Sequence, residues 1–430
     1  MRSKGFTLIE LLAVIVILAI IALIATPIIL GIINDVRVGA RERSIDNIIQ
    51  AAEMYYAQEK MKNVNISNKI NIEAIKDKID GEIPEGGYII LNEAGDAIFN
   101  LEFKDKTYVK LSTGEIIEEP KNADKYYIKV ETTESIETEP FLYGPIRKEE
   151  IEKVTTVPTN KVPSDVIGYW DVTEQGNGKI MAWYYDKDSN GLYEVYIGQE
   201  GRVKANPDSG KLFNYLINVK EIDVTYFDTS NVTSMWCMFQ RCENLEKIIG
   251  IENFDTSKVE NMRNLFNKCY KLQSINLSSF DTTQTTNLSG MFQCCSSLVS
   301  LDVSGFNTSK VIDMKFMFAG TKVDNISYYM KLEKIIGLEN FKTSQVTDMS
   351  SMFQLCSSLT SLDLSNWDTG KVTDMSWMFY GTTNLKPIYI GEKWKTASET
   401  TNMFGGAALT VSVDEMCGPN STESWCTVTR

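Results

Sequence analysis

Histidine is missing from all 430 residues. That removes the side chain most often used as a general base and metal ligand near neutral pH, so histidine-based catalysis and histidine metal ligation are excluded. The 8 cysteines form no C-x-x-C pair, which leaves a zinc site poorly supported. There is no Gly-rich phosphate loop, no nucleophile motif and no carboxylate pair distinct from the general surface charge. Nothing therefore points to an enzyme, and no catalytic residue, metal or cofactor is expected. Basic residues are also short, 43 against 57 acidic ones, for a net charge of −14. A nucleic-acid binder needs a basic face, so nucleic acid is not an expected partner. The acidic balance suits a soluble, self-repelling surface outside the cell. Hydrophobic residues make up 43% of the chain, ordinary for globular structure.

What is present begins at the N-terminus. Lys4-Gly5-Phe6-Thr7-Leu8-Ile9-Glu10 leads into an apolar run from Leu11 to Ile33. A helix of that length rises roughly 35 Å, enough to cross a bilayer. A charge carried to the bilayer centre costs about 2.5–3.5 kcal/mol, so Glu10 at the mouth of the run needs a partner. Cutting between Gly5 and Phe6 supplies one: a free amine on Phe6, one helical turn from Glu10 and within reach of a neighbouring subunit's Glu10. An ordinary signal peptide or anchor is the alternative, but its apolar region is shorter and lacks an acid at its mouth.

This N-terminus resembles the leader and first helix of type IV pilins and pseudopilins. The match is carried by Arg2, Lys4, Gly5, Phe6 and Glu10, with Pro27 where such helices often carry a proline. The resemblance implies cleavage after Gly5 by a prepilin peptidase and methylation of the Phe6 amine. It also implies Glu10-guided assembly with other pilin subunits through the N-terminal helix, after a stay in membrane lipid. The location implied is the bacterial plasma membrane, then the cell surface or a pilus.

Beyond the anchor, Val36, Ala40, Ile45, Ile48, Ile49, Ala52, Tyr56 and Ala57 keep helical spacing to about residue 60. Strands are expected at Tyr88–Leu91, Ala97–Phe103 and Thr107–Leu111, with Tyr126–Val130 as the candidate for a fourth, as a small antiparallel head. Residues 131–165, rich in Thr, Glu and Lys and punctuated by Pro140, Pro145, Pro158 and Pro163, predict a semi-extended linker. A β-meander follows over 166–209. Within it Asp186–Gly191 has the first half of a calcium loop, but Ile197 stands where the bidentate acid belongs. A tight hairpin turn is the preferred reading, with a calcium site as the alternative.

From about Gly210 the chain is periodic. Phe227, Phe254, Phe280, Phe306, Phe341 and Trp367 mark one column; Phe239, Phe266, Phe292, Phe318, Phe353 and Phe379 mark a second, twelve residues on. Steps are 26–27 residues, with one of 35 that places an insertion near Lys322–Met330. Such a period predicts a solenoid of six to seven units over 210–410. In each unit Val346, Met349, Met352, Phe353, Cys356 and Leu359 space like one face of a short helix, and Leu359, Leu362, Leu364 and Trp367 like a short strand. Ser257 and Glu260 have capping-box spacing for the helix. Cys242, Cys269, Cys295 and Cys356 fill one column, read as small core residues rather than as a disulfide ladder. Between the inward leucines, Asp223, Asn276, Asp302 and Asp363 line the strand face, interrupted by Ile249 and Ile336. A variable column two residues before the second phenylalanine offers Phe316 and Trp377 as partner-binding aromatics, unless they fold back on their neighbours.

The repeats resemble BspA-like leucine-rich-repeat surface proteins, on Asn366-Trp367-Asp368-Thr369-Gly370-Lys371-Val372-Thr373-Asp374-Met375-Ser376-Trp377-Met378-Phe379 and a lead-in at Ile167–Val172 and Met181–Tyr184. That resemblance implies adhesion or binding of an extracellular protein or glycan. Cys417 and Cys426, over 411–430, resemble the disulfide-closed terminal loop of many pilins, with free thiols as the alternative. The expected fold class is α+β. Its parts are a leader (1–5), a pilin helix (6–62, membrane-spanning over 11–33), a β head (63–130), the linker (131–165), the meander (166–209), an α/β leucine-rich-repeat-like solenoid (210–410) and the cap (411–430). The expected function is a minor or tip pilin-like subunit displaying the repeats. A pseudopilin of a type II secretion or competence (DNA-uptake) machine is the alternative.

Overall fold

A computed structural model describes residues 39–62, 68–91, 97–120, 126–130, 138–323, 326–407 and 425–428. The chain divides into two compact units, Met1–Val109 and Lys110–Arg430. The described residues are mostly β, with a single α-helix. None of their helices is long and apolar enough to cross a membrane; the apolar run 11–33 lies outside them.

In the first unit residues 39–62 are helical. Ile45, Ile48, Ala51 and Ala52 are buried, the three-and-four spacing of one helix face. That face shares a core with Ile70, Ile89, Phe99, Leu101 and Phe103. These come from strands β1 (Lys69–Asn71), β2 (Gly86–Leu91) and β3 (Ala97–Glu102) and the turn before β4 (Lys106–Lys110), ordered β1-β2-β3-β4. β2 pairs antiparallel with both β1 and β3. Arg41 fixes the helix to the sheet loops. It is nearly buried, lies 4.1 Å from the centre of the Phe103 ring and makes a fork to Glu82 at 2.8 and 2.9 Å, with Asp105 at 3.1 Å.

The second unit contains β5 (Ile116–Pro120) and then departs from the expected linker. Residues 131–137 lie outside the described set, but 138–165 are not a spacer. Phe141 and Leu142 are fully buried, and β6 (Ile151–Val157) sits inside a six-stranded sheet. The sheet order is β13-β11-β6-β9-β8-β7, from β7 (Gly168–Asp171), β8 (Ile180–Tyr185), β9 (Tyr193–Gln199), β11 (Glu221–Asp223) and β13 (Lys247–Ile249). β6 is parallel to both neighbours, β9 and β11. Its apolar residues Ile151 and Val154 face the core while Glu152, Lys153 and Thr155 are only half-buried. Proline density and charge outweigh this short pattern in the sequence, yet the prolines fall outside the strand, where they break no ladder bond. β10 (Val203–Lys204) pairs with β12 (Phe227–Asp228). Tyr126–Val130 makes only an isolated bridge, Ile128 to Thr173.

The periodic region is a stack of rungs. Parallel bridges run in succession through Asp208, Ser234, Asn261, Asn287, Asp313, Asp348, Asp374 and Glu399. Eight rings stack behind them: Phe213, Phe239, Phe266, Phe292, Phe318, Phe353, Phe379 and Phe404, with centroids 5.4–6.0 Å apart. The strand side is carried by β11–β13, by β14 (Ser300–Asp302) with β17 (Lys334–Ile336), and by β18 (Leu362–Leu364) with β19 (Ile388–Gly391) and β20 (Trp425–Val428). The insertion is an antiparallel pair, β15 (Thr321–Val323) and β16 (Ile326–Tyr328).

The expected short helices do not form. In the rung around Phe353, the amides of Met352, Gln354 and Cys356 bond three residues back, while those of Met349, Ser351, Phe353 and Leu355 bond forward to carbonyls 25 residues ahead. The three-residue apolar spacing thus arises from successive turns, and the alternate amides form a ladder between rungs. Nor does Ser257 cap a helix. Asp255 accepts the Ser257 amide at 3.0 Å, and Glu260 donates to Thr233 of the previous rung. The buried threonine of each D-T or N-T motif ties rungs together. Thr256 donates to the Asp281 carbonyl at 3.0 Å and accepts the Asp281 amide at 2.8 Å. Thr229, Thr282, Thr308 and Thr369 repeat the arrangement.

Candidate functional site

Gly5, Phe6 and Glu10 lie outside the described residues, as does Cys417. The backbone of Cys426 is in β20, paired with Ile390. The other expected site residues are all placed. Asp223, Asn276, Asp302 and Asp363 recur along one edge of the rungs, and each turns a side-chain oxygen back to its own backbone. The amides of Thr225, Ser278, Ser304 and Ser365 donate to them at 2.9–3.1 Å. Each residue therefore first shapes a turn. Asn276, Asp302 and Asp363 remain exposed, so the second oxygen of either carboxylate faces solvent. Where the column switches to Ile249 and Ile336, the next residue is Gly250 or Gly337 in the left-handed region, φ 79° and 94°. The turn is then made by glycine instead of by a side chain. A Cβ at Gly337 would stand 2.3 Å from the Ser304 Cα.

Phe316 and Trp377 are half-buried rather than free, and Trp377 packs on Tyr380 with centroids 4.6 Å apart. Their column varies for a backbone reason. Cys237, Asn264, Gly290, Phe316, Ser351, Trp377 and Asn402 all have φ of 53–62°. Four residues on, Arg241, Lys268, Cys294, Leu355, Gly381 and Gly406 are also left-handed, with φ of 57–69°. Side-chain contacts there are secondary to a left-handed conformation that costs L-residues roughly 1–2 kcal/mol. Glycine and asparagine recurring in these columns were the signal that could have revealed it.

The cysteine column is core. Cys242, Cys269, Cys295 and Cys356 are fully buried free thiols, and each Sγ donates to the carbonyl of a stacked phenylalanine of the preceding rung at 3.0–3.2 Å. Burial pushes all four thiols up, Cys242 to about 12. Asp186–Gly191 closes the β8–β9 hairpin. Asp186 receives the Asn190 and Gly191 amides at 3.0 and 3.2 Å, and Glu194 is held by Lys187 at 2.8 Å. Among the described residues no cluster of acids and cysteines fits a metal ion.

Two features had no sequence signal strong enough to single out. One is an aromatic face on β7–β9. Trp183 stacks on Tyr196 at 6.1 Å, Tyr185 meets Tyr196 edge-on at 5.6 Å, and Tyr169 stands 63% exposed opposite Trp183 in the register. It continues into an ion row in which Glu221 binds Lys153 at 2.7 Å and Lys247 at 2.5 Å, and on into the Asp223 column. Burial raises the Glu221 carboxyl, but hydrogen bonds from both lysines bring it below its ordinary value. The other is a buried charge cluster. Arg202 forks onto Glu119 at 2.8 and 3.1 Å and faces Asp228 at 3.5 Å, with Lys204 at 3.7 Å. Burial alone would raise Asp228; Arg202, Lys204 and the Ser230 amide overcome it and lower its pKa to about 2.

Comparison with known families finds a match at the N-terminus and another over the repeats. Residues 1–26 match the prokaryotic N-terminal methylation motif. Residues 209–331 and 326–414 match the family described as Mycoplasma protein of unknown function, DUF285. The chain joins a type IV pilin leader to a DUF285 repeat region. No curated protein and no solved structure matches it. The leader implies membrane insertion, processing by a prepilin peptidase, assembly with other pilins and display on the surface or a pilus. The two DUF285 matches together cover the ladder of rungs from Ser209 through Phe404.

Proposed function

We propose that this chain is a minor or tip subunit of a type IV pilin-like filament, and that it presents its DUF285 region as an adhesive module for an extracellular protein or glycan. The observation that carries the reading is the union in one chain of a methylation-type leader with a repeat stack. The stack is read as a leucine-rich-repeat-like solenoid of the BspA type. The face offered to a partner is the aromatic group Tyr169, Tyr185 and Tyr196 with the ion row and the exposed Asp302 and Asp363 beyond it. It combines flat apolar surface with fixed charge, as recognition surfaces do. A module of this size on a helical shaft favours a tip position on steric grounds.

Filaments sheared from cells and analysed by mass spectrometry test the reading. Recovery of the chain starting at methylated Phe6, lost in Glu10→Leu cells, supports it. Retention wholly in the membrane fraction sinks it and favours the pseudopilus. Binding is tested with matrix proteins and glycans on the purified chain, with Tyr169→Ala plus Tyr196→Ala expected to weaken it at least tenfold.

A further inference from the structure

We propose that Lys148 and Asn214 form a covalent side-chain amide, an isopeptide bond. Lys148 is fully buried and Asn214 is 1% exposed. Lysine is almost never fully buried. Its Nζ lies 3.0 Å from the Asn214 Oδ1. A carbonyl bond is about 1.2 Å long, so the nitrogen is within about 4.2 Å of the Asn214 Cγ. The opposite amide orientation would set two donors against each other, so the carbonyl faces the lysine. The asparagine Nδ2, the group that would leave, is buried with no hydrogen-bond partner. An unpaired buried amide of this kind calls for a reason.

Both side chains are held on fixed backbone. The Lys148 amide donates to the Glu139 carbonyl at 3.0 Å, beside the Pro140–Arg147 bridge. The Asn214 amide donates to Lys211 at 3.1 Å, and the adjacent Phe213 ring stacks on Phe141 and Phe239. Holding two reacting groups in near contact converts a slow bimolecular reaction into an intramolecular one. In the reaction the lysine nitrogen bonds to Cγ and the Cγ–Nδ2 bond breaks. An ammonium and a primary amide become a secondary amide and an ammonium ion. Atoms and charge balance, and nothing is oxidised or reduced. The positive charge leaves with the ammonium ion. Burial also denies water to the product, which protects the new bond from hydrolysis. The bond would join the segment before β6 to the first rung of the stack, closing the loop that contains the meander.

The test is peptide mapping of the purified full chain, reduced and digested with trypsin. A branched peptide joining Lys148 to Asn214, lighter than its two arms by one ammonia and uncut at Lys148, is expected. It is lost in Lys148→Arg and in Asn214→Ala, and kept in Asn218→Ala, a nearby asparagine that donates to the Glu149 carbonyl at 2.7 Å. Finding Lys148 and Asn214 of the folded wild-type chain in separate linear peptides overturns the proposal, whatever the variants do. So does a branch that survives Asn214→Ala.

Discussion

Replacing Thr282 by valine tests how the rungs hold together. Thr282 is fully buried, and its hydroxyl does two jobs: it donates to the Asn307 carbonyl at 3.1 Å and accepts the Asn307 amide at 2.8 Å. Valine keeps the shape and removes both bonds. At about 1 kcal/mol net per hydrogen bond the loss is roughly 2 kcal/mol, and up to about 4 if both Asn307 groups stay dry and unpaired. Thr283 next to it is exposed, and its hydroxyl makes none of these inter-rung bonds. Thr283→Val should therefore change stability by less than about 0.5 kcal/mol. Urea unfolding of the two variants, followed by tryptophan fluorescence, measures the difference. Amide hydrogen exchange gives a second readout, since the Asn307 N–H loses its acceptor only in Thr282→Val. Equal stabilities for the two variants, with Asn307 protection unchanged, would refute the idea that threonine hydroxyls lock rung to rung.

Three other outcomes are expected. Asp228 has a depressed carboxyl, about 2 against an ordinary 3.8, so its ionised form stabilises the fold at any pH above the ordinary value and the contribution fades as pH falls towards 2. That amounts to roughly 2 kcal/mol, and the gap between wild type and Asp228→Asn in thermal melts should be constant from pH 7 to 5 and shrink below 4. The buried thiols of Cys242, Cys269, Cys295 and Cys356 should resist iodoacetamide in the native protein and react at once in denaturant, as counted by mass spectrometry; fast native labelling would contradict their burial. Gly337→Ala should destabilise by about 2–4 kcal/mol, more than an exposed Gly305→Ala, because it combines a left-handed φ with a Cβ 2.3 Å from the Ser304 Cα.

The two ends of this chain were legible because their physics is local. An acid at the mouth of an apolar run, and a period repeated many times, each need no knowledge of the fold. The register of the rungs was legible too: every expected second-column phenylalanine is in the ring stack, which runs from Phe213 to Phe404. The type of backbone was not. Three-residue spacing is shared by a helix and by a chain of turns, and only the left-handed residues, marked by Gly290, Gly381 and Asn264, separate them. β6 was hidden because its support is remote, coming from β9 and β11 on either side. The Arg202–Glu119–Asp228 cluster and the Lys148–Asn214 pair join residues far apart in sequence, and no single-chain pattern announces them. Cysteines in a column suggested core, and the thiol-to-carbonyl bonds explain why the position favours sulfur over a plain hydrocarbon.

The hairpin of β15 and β16 is an addition that the spine does not register. Phe318 and Phe353 are separated by more residues than any other neighbouring pair of rings, yet their centroids are 5.6 Å apart like the rest. Novel loops can be grafted at this edge, or whole repeats gained and lost, with the ends of the stack left as they are. The outside of the module is thus free to change by insertion while the interior ring stack keeps its spacing.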